Sequence, residues 1–179
     1  MCNHYYMPIE KRVSIPSAEY EVAPVTTTEE REAVFAIRML VFVEEQAVPP
    51  EEELDIYDLT AAHFLVREAT HTKDTGEIIA TARLVDKGAG LGKIGRVAVL
   101  REHRGEGLGA LLMRYVEEAA RTQGFLQLIL EAQLHAIPFY AKLGYVAEGD
   151  VYLDAGIEHR LMRKWIVDTD KSTEIAPDS

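Results

Sequence analysis

A glycine-rich segment, REHRGEGLGA (residues 101–110), carries the clearest chemical signal in the sequence. Gly105, Gly107 and Gly109 alternate with other residues, and Arg104 precedes them. Peptide N–H groups that no Cβ shields can converge on an anion such as a pyrophosphate, and a helix beginning directly after the turn adds its positive end. Three glycines also cost chain entropy that a simple turn would avoid. The spacing therefore predicts an anion-binding turn.

Three phosphate-binding patterns compete for this segment. The nucleoside-triphosphate loop, G-x-x-x-x-G-K-[ST], is excluded because no lysine follows Gly109. The dinucleotide fingerprint, G-x-G-x-x-[GA], is matched by Gly105, Gly107 and Ala110. A third pattern, R-x-x-G-x-G, is matched by Arg104, Gly107 and Gly109. The segment alone does not decide between the last two.

The elements that precede the turn favour the third pattern. Residues 62–68, 76–85 and 93–100 alternate as strands joined by polar or glycine-rich turns, which predicts an antiparallel meander. A dinucleotide fold needs strands that alternate with helices. It also places its first glycine almost directly after a strand, whereas residues 101–104 intervene here.

The remaining segments complete an α+β domain. Helical spacing and capping residues predict helices at 26–45, 108–124 and 136–144. Further strands are predicted at 19–25, 125–133, 145–153 and 159–165. A strand–helix–strand unit implies one parallel pair in an otherwise antiparallel sheet. We expect a mixed, mostly antiparallel sheet of six to seven strands, with helices on both faces.

Composition limits the partners of the chain. A net charge of −11 disfavours nucleic acid and is compatible with a cationic substrate such as an amine, although acidic surfaces also simply keep proteins soluble. The single cysteine, Cys2, excludes an internal disulfide and a cysteine metal cluster. No apolar run approaches the roughly 18 residues that span a bilayer, and the N-terminus lacks a secretory signal. We expect a cytoplasmic protein with no metal, nucleic-acid or membrane partner.

Two segments, RVAVLREHRGEGLGALLM (residues 96–113) and AIPFYAKLGY (residues 136–145), together resemble the GNAT superfamily of acyl-CoA-dependent N-acyltransferases. The resemblance covers about residues 19–165. The segments VFVEEQAVPPEEELD and YLDAGIEHRLM also resemble a bacterial subgroup whose substrates are poorly defined. The implied domain spans 18–166, between a flexible N-terminal extension, 1–17, and a polar tail, 167–179. Its central parallel strands are expected to splay apart into a cleft.

The resemblance implies a site for acetyl-CoA as co-substrate. Backbone N–H groups of the turn would hold the pyrophosphate, and strand 97–99 would pair with the pantetheine arm while one N–H polarises the acetyl carbonyl. Gln133 stands where many members carry asparagine and would reach the pantetheine. The expected contacts are Val97, Ala98, Val99, Arg104, Gly105, Glu106, Gly107, Leu108, Gly109, Ala110, Gln133 and Tyr140.

Catalysis would combine an acid with a base. Tyr140 matches the tyrosine that the family places near the thioester sulfur, where its phenol can protonate the departing thiolate. A neutral amine would attack the thioester directly, so a base must take the amine proton. The candidate bases are Glu131, His135 and His63, and His135 is the best placed because the strand ends there at the cleft.

Two arginines and one acidic segment have alternative roles. Arg83 and Arg96 lie on neighbouring strands and either hold a substrate carboxylate or pair with Glu44, Glu45 or Asp55. The segment EEQAVPPEEELD would form a lip over the acceptor site and either attract an amine or remain a solvated loop.

Three functions follow from these patterns. The first is an N-acetyltransferase that acts on a primary amine of a small molecule or peptide, in a superfamily where homodimers are common. The second is a non-catalytic acyl-CoA-binding or regulatory module on the same fold. The third is a dinucleotide-binding oxidoreductase that uses residues 105–110. A rise in Tm with acetyl-CoA would support either of the first two functions, whereas a rise with NAD alone would support the third.

Overall fold

The computed structural model describes residues 11–15, 18–69 and 76–167. Its central sheet has the strand order β1-β2-β3-β4-β5-β6-β8-β7. The strands are β1 (Lys11–Ile15), β2 (Ala18–Pro24), β3 (Ala62–Glu68), β4 (Ile78–Asp86), β5 (Leu91–Val99), β6 (Gln127–Gln133), β7 (Val146–Asp154) and β8 (Ile157–Trp165). Among the described strands, β5 and β6 are the one pair that is parallel. The predicted mixed, mostly antiparallel sheet is confirmed.

The described sheet has eight strands, one more than the upper end of the expected range of six to seven. The added strand, β1, lies within the predicted extension 1–17 and pairs antiparallel with β2, from Lys11 opposite Val22 to Ile15 opposite Ala18. In its sequence KRVSI only the last three residues alternate after two adjacent basic residues, so the pairing with β2 defines the strand better than its own periodicity does. Residues 1–10 of the extension and 168–179 of the tail lie outside the described residues.

Helices cover both faces of the sheet, as predicted. The described α-helices are α1 (Thr28–Arg38), α2 (Pro50–Glu53), α3 (Leu108–Thr122) and α4 (Ile137–Lys142). Val34 of α1 packs with Leu65, while Tyr115 of α3 meets Phe64 edge-on with ring centroids 6.0 Å apart. Because Phe64 and Leu65 are consecutive in β3, their side chains point to opposite faces. The two longest helices therefore lie on opposite sides of the sheet.

The first predicted helix, 26–45, changes its winding before it ends. Thr27 caps α1 by accepting from the backbone N–H of Glu30 at 3.1 Å, and the Glu30 carboxylate accepts from the backbone of Thr27 in return. After Arg38 the chain continues as a π-helical turn, Met39–Glu44. α2 follows within the predicted lip segment, residues 44–55, which contacts β4 through the bond of Asp55 to Arg83 and β5 through the Glu53 carbonyl, which accepts from Arg96.

The parallel strands β5 and β6 separate after a short contact. They pair only between Leu91–Lys93 and Gln127–Ile129. Past this point the pairing of β4 with β5 shifts register between Thr81 and Arg83, and Arg96 has a φ of 53°. A non-glycine residue at positive φ beside a register shift marks a β-bulge. The bulge and the end of parallel pairing together open the splay that the resemblance implied.

No helix within the described ranges is long and apolar enough to cross a membrane. Over the same residues, no group of three or more His, Cys, Asp or Glu side chains could hold a metal ion.

Candidate active site

A cavity of about 430 Å³ opens where β5 and β6 diverge. Its walls are the two splayed strands, the lip around α2, the start of α4 and the hairpin that joins β7 to β8. The predicted site residues that line it are Val97, Glu131, Gln133, His135 and Tyr140. These five residues, from four elements, thus share one cavity, whereas the glycine turn lies beyond this lining.

The glycine turn (residues 104–109) leads directly into α3. Gly105 and Gly107 have φ values of 85° and 84°, and a Cβ at either position would meet no atom within 4 Å. Gly107, the N-cap residue of α3, has no side chain to cap the helix, and no described side chain accepts from the leading N–H groups. Open space, bare backbone and a free helix N-terminus fit a pyrophosphate.

Arg104 and Glu106 anchor the rim of this turn. The Arg104 Nε donates to the carbonyl of Val99 at 2.9 Å, and its Nη2 lies 2.9 Å from the Glu45 carboxylate. Glu106 accepts from the Tyr20 hydroxyl at 2.5 Å, and this hydrogen bond, with burial, raises the pKa of Tyr20 to about 12. The Arg104 charge is therefore partly offset within the chain, and backbone N–H groups are the main donors that the turn presents.

Phe139 packs closely against Gly109 in the first turn of α3. A Cβ at Gly109 would lie 3.3 Å from Phe139 Cζ, which is tighter than an ordinary van der Waals contact. Phe139 also packs edge-on against Tyr140, with centroids 4.9 Å apart. α4 is thereby held against the turn.

Tyr140 presents a phenol to the cavity. Its ring is half-buried, lies 6.1 Å from the ring of Tyr145, and its hydroxyl has no hydrogen-bond partner among the described residues. Burial raises the pKa of Tyr140 to about 12, since a phenolate is poorly solvated there. Tyr140 is therefore protonated at neutral pH and has a proton available to donate.

Glu131 and Gln133 extend from the same face of β6, and both already have partners. The Glu131 carboxylate accepts from Lys93 at 2.5 Å. Burial opposes ionisation of Glu131, but the hydrogen bond and charge of Lys93 outweigh it, so the pKa of Glu131 is lowered. Gln133 donates to the side chain of Gln46 in the lip at 2.7 Å. The lip is thus fastened to the end of β6.

The two histidine candidates lie in different surroundings. His135, in the 3-10 turn Leu134–Ala136, is exposed and lines the cavity. His63 is buried and lies 5.4 Å edge-on from Phe35 of α1. Burial lowers the pKa of His63, and its side chain is not part of the cavity lining.

An ionic network joins the lip to the sheet; it comprises Arg38, Arg83, Arg96, Glu53, Asp55 and Asp58. Arg38 is fully buried and bonds Glu53 at 2.6 Å and Asp58 at 2.7 Å. Arg83 bonds Asp55 at 2.7 Å and Asp58 at 2.8 Å. Three cations and three carboxylates thus neutralise one another, and four of the six, Glu53, Asp55, Arg83 and Arg96, line the cavity.

This network decides between the two predicted roles of Arg83 and Arg96. Arg96 lies 3.0 Å from the Glu53 carboxylate and 3.5 Å from that of Asp55. Both arginines therefore pair with the chain's own carboxylates, and Asp55 is one of the three partners that were expected. Glu45 pairs with Arg104 instead.

Asp58 should make the fold sensitive to acid. Burial opposes its ionisation, but hydrogen bonds from Arg38, the Asp55 backbone and Arg83 outweigh this, so its pKa lies well below the usual value. A lowered carboxyl pKa contributes stability above the unfolded-state value of about 3.9, and this contribution is lost as pH falls through the folded-state value. In thermal melts, the advantage of the wild type over Asp58→Asn should be constant above the unfolded-state value of about 3.9 and should shrink steadily as the pH is lowered below it. A difference in Tm that stays constant below this value as well would contradict this.

Two functional features escaped the sequence analysis. Arg38 lies on the apolar face of the first helix with Val34 and Ile37, and a cation at such a position signals a buried ion pair. His159 of β8 lines the cavity; it lies in the segment YLDAGIEHRLM, which was quoted for its resemblance but gave no role for this histidine. Its position depends on strand register, which the sequence does not specify.

Comparisons with known proteins agree with this geometry. A model of the acetyltransferase (GNAT) family matches residues 31–145. The uncharacterized N-acetyltransferase YjcF of Bacillus subtilis is 39% identical over 76% of this chain and 93% of its own length. An acyl-CoA N-acyltransferase from Pseudomonas aeruginosa superposes with a TM-score of 0.67 at 33% identity, over 83% of this chain and 99% of its own. ElaA from Escherichia coli superposes with a TM-score of 0.67 at 28% identity, over 82% of this chain and 99% of its own.

Proposed function

Because the chain belongs to the acetyltransferase (GNAT) family, we propose that it transfers an acetyl group from acetyl-CoA to a primary amine of a small molecule or peptide. The observation that carries the proposal is the Tyr140 phenol, which enters the cavity where β5 and β6 separate. An acyl-CoA held between these strands would present its thioester beside a proton donor. The cytoplasm as location and a homodimer as assembly belong to the same proposal.

Each part of the site has a role in this reaction. The glycine turn would bind the pyrophosphate through backbone N–H groups. Residues 97–99 of β5 would pair with the pantetheine arm, and one of their N–H groups would stabilise negative charge on the carbonyl oxygen. When bound, acetyl-CoA supplies a thioester that an amine can attack directly, without a covalent enzyme intermediate. Tyr140 would protonate the departing sulfur.

The charges around the cavity support a cationic acceptor. The lining cations Arg83, Arg96 and Lys93 are all paired with carboxylates. Glu52 and Asp154 also line the cavity and have no ion pair among the described residues. Lys87 lies over the ring of Tyr57, at 4.8 Å from its centroid. The unpaired carboxylates outnumber the unpaired lysine, so the cavity should attract a protonated amine more than a carboxylate.

A screen of amines that detects free thiol tests this function. The expected result is thiol release that depends on both acetyl-CoA and one class of primary amine, with an N-acetylated product in mass spectra. Acetyl-CoA, and not NAD, should raise the Tm by mass action. Stabilisation by NAD alone would overturn the proposal. Stabilisation by acetyl-CoA with no turnover on any amine would favour a non-catalytic acyl-CoA-binding module.

Gly107→Ala should weaken acetyl-CoA binding. A Cβ at the φ of 84° costs about 1–2 kcal/mol, and the turn can relieve this strain by moving its N–H groups away from the anion. We expect Kd to rise about tenfold, measured by calorimetry. Gly124→Ala is the matched control, because Gly124 follows the other end of α3 with a φ of 86° and equally open space. Equal losses of binding in both variants would refute a role for the turn.

A further inference from the structure

His159 is a cavity residue whose proton position is fixed by the fold. Its Nδ1 lies 2.8 Å from the carbonyl oxygen of Ile157. A carbonyl oxygen can only accept, so Nδ1 carries the hydrogen, and the neutral ring keeps its lone pair on Nε2. The Nε2 atom of the half-buried imidazole can therefore accept a proton, because the backbone carbonyl is bonded to Nδ1.

Strand register places this imidazole beside the predicted catalytic residues. His159 is directly opposite Gln133 in the pairing of β6 with β8. Glu131 lies two residues before Gln133 on the same face of β6. On the other side, Tyr152 of β7 is opposite His159, and the two rings stack with centroids 6.3 Å apart. The backbone and the stacked ring together orient the imidazole. His159 lines the same cavity as Tyr140.

The other candidate bases lack this arrangement. The Glu131 carboxylate is bonded to Lys93, and a paired carboxylate is a weaker proton acceptor. His135 is exposed and has no orienting hydrogen bond within the part of the chain that the structure describes. A base that a third group orients is the usual arrangement in catalysis.

We propose that His159 is the general base of the acetyl transfer, an inference that rests on the proposed function. An amine that enters protonated first loses one proton to solvent, and its neutral nitrogen then forms a bond to the acetyl carbon. His159 Nε2 takes one further proton from that nitrogen. The carbon–sulfur bond breaks, and the sulfur takes the proton of the Tyr140 phenol. The imidazolium then returns a proton, through solvent, to the phenolate. The products are an amide and a free thiol, and the enzyme is regenerated.

Charged and titratable groups surround His159 on several elements. Glu131 faces it from β6, Tyr152 and Asp154 from β7, and His135 from the turn after β6. Lys93 of β5 acts on this group through its bond to Glu131. Any of these groups could also contribute to a pH–rate profile, so the test must separate His159 from them.

His159→Asn is the decisive variant, because an asparagine amide can still donate to the Ile157 carbonyl but has no basic nitrogen. With an amine that the wild type acetylates, kcat should fall about 100-fold with little change in the KM for acetyl-CoA. The pH profile of kcat/KM should lose one ascending limb, and added imidazole should restore part of the rate. The Tm should stay within a few degrees of the wild type, because the backbone contact persists.

His135→Gln is the matched comparison, since it changes the other histidine of the cavity. It should retain the ascending limb that His159→Asn loses. The proposal is overturned if His159→Asn keeps both the wild-type rate and the limb, or if only His135→Gln loses them. An inactive wild type that fails with every amine would instead contradict the proposed function, so the two failures are distinguishable.

Discussion

Tyr140→Phe is expected to lower kcat for acetyl transfer by about 100-fold, with little change in the Kd for acetyl-CoA, because general acid catalysis supplies an effect of this size. The phenol has no partner among the described residues and its pKa is raised to about 12 by burial, so it enters the reaction protonated. Phenylalanine keeps the ring contacts with Phe139 and Tyr145. Thiol release under saturating amine and acetyl-CoA measures the loss.

Tyr145→Phe is the control for this prediction. Tyr145 is adjacent in space, but it is almost fully buried and outside the cavity lining. Its variant should keep kcat within a few-fold of the wild type, since the hydroxyl that it loses does not face the cavity. If Tyr140→Phe turns over as fast as the wild type, another group or water must protonate the sulfur.

Arg38→Leu is expected to lower the free energy of unfolding by about 3–5 kcal/mol, the usual cost of removing one partner from a buried ion pair. Glu53 and Asp58 would lose their bonds to Arg38, although each is almost fully buried. For a domain of this size the Tm should fall by roughly 10 °C. Chemical denaturation and thermal melts measure both quantities.

Arg114→Leu is the control for the loss of stability expected in Arg38→Leu. Arg114 is exposed on α3, and its replacement should change stability by no more than about 0.5 kcal/mol. An Arg38→Leu variant as stable as Arg114→Leu would mean that Arg83 and Arg96 alone neutralise the buried carboxylates. The network would then act on the shape of the lip and contribute little to stability.

Much of the fold follows from local sequence patterns. The meander β3–β5, the helix after the glycine turn and the strand that follows all carry their own periodicity and end signals, which depend only on neighbours along the chain. β1 was missed because a five-residue strand is stabilised by the strand that it pairs with. The π-helical turn after Arg38 was missed because its spacing differs little from that of an α-helix over six residues.

The candidate site likewise has parts that short sequence motifs predict and parts that depend on the tertiary structure. The sequence by itself predicted the glycine turn and, through the resemblance of its short motifs to the family, Tyr140, because in such motifs bare backbone or a single phenol would carry the chemistry. Only the tertiary structure decided that Arg83 and Arg96 pair with Asp55 and that His159 lies opposite Gln133. These contacts join residues between 26 and 41 positions apart. Their formation depends on strand register and on the path of the lip, which are set by burial and pairing across the whole sheet.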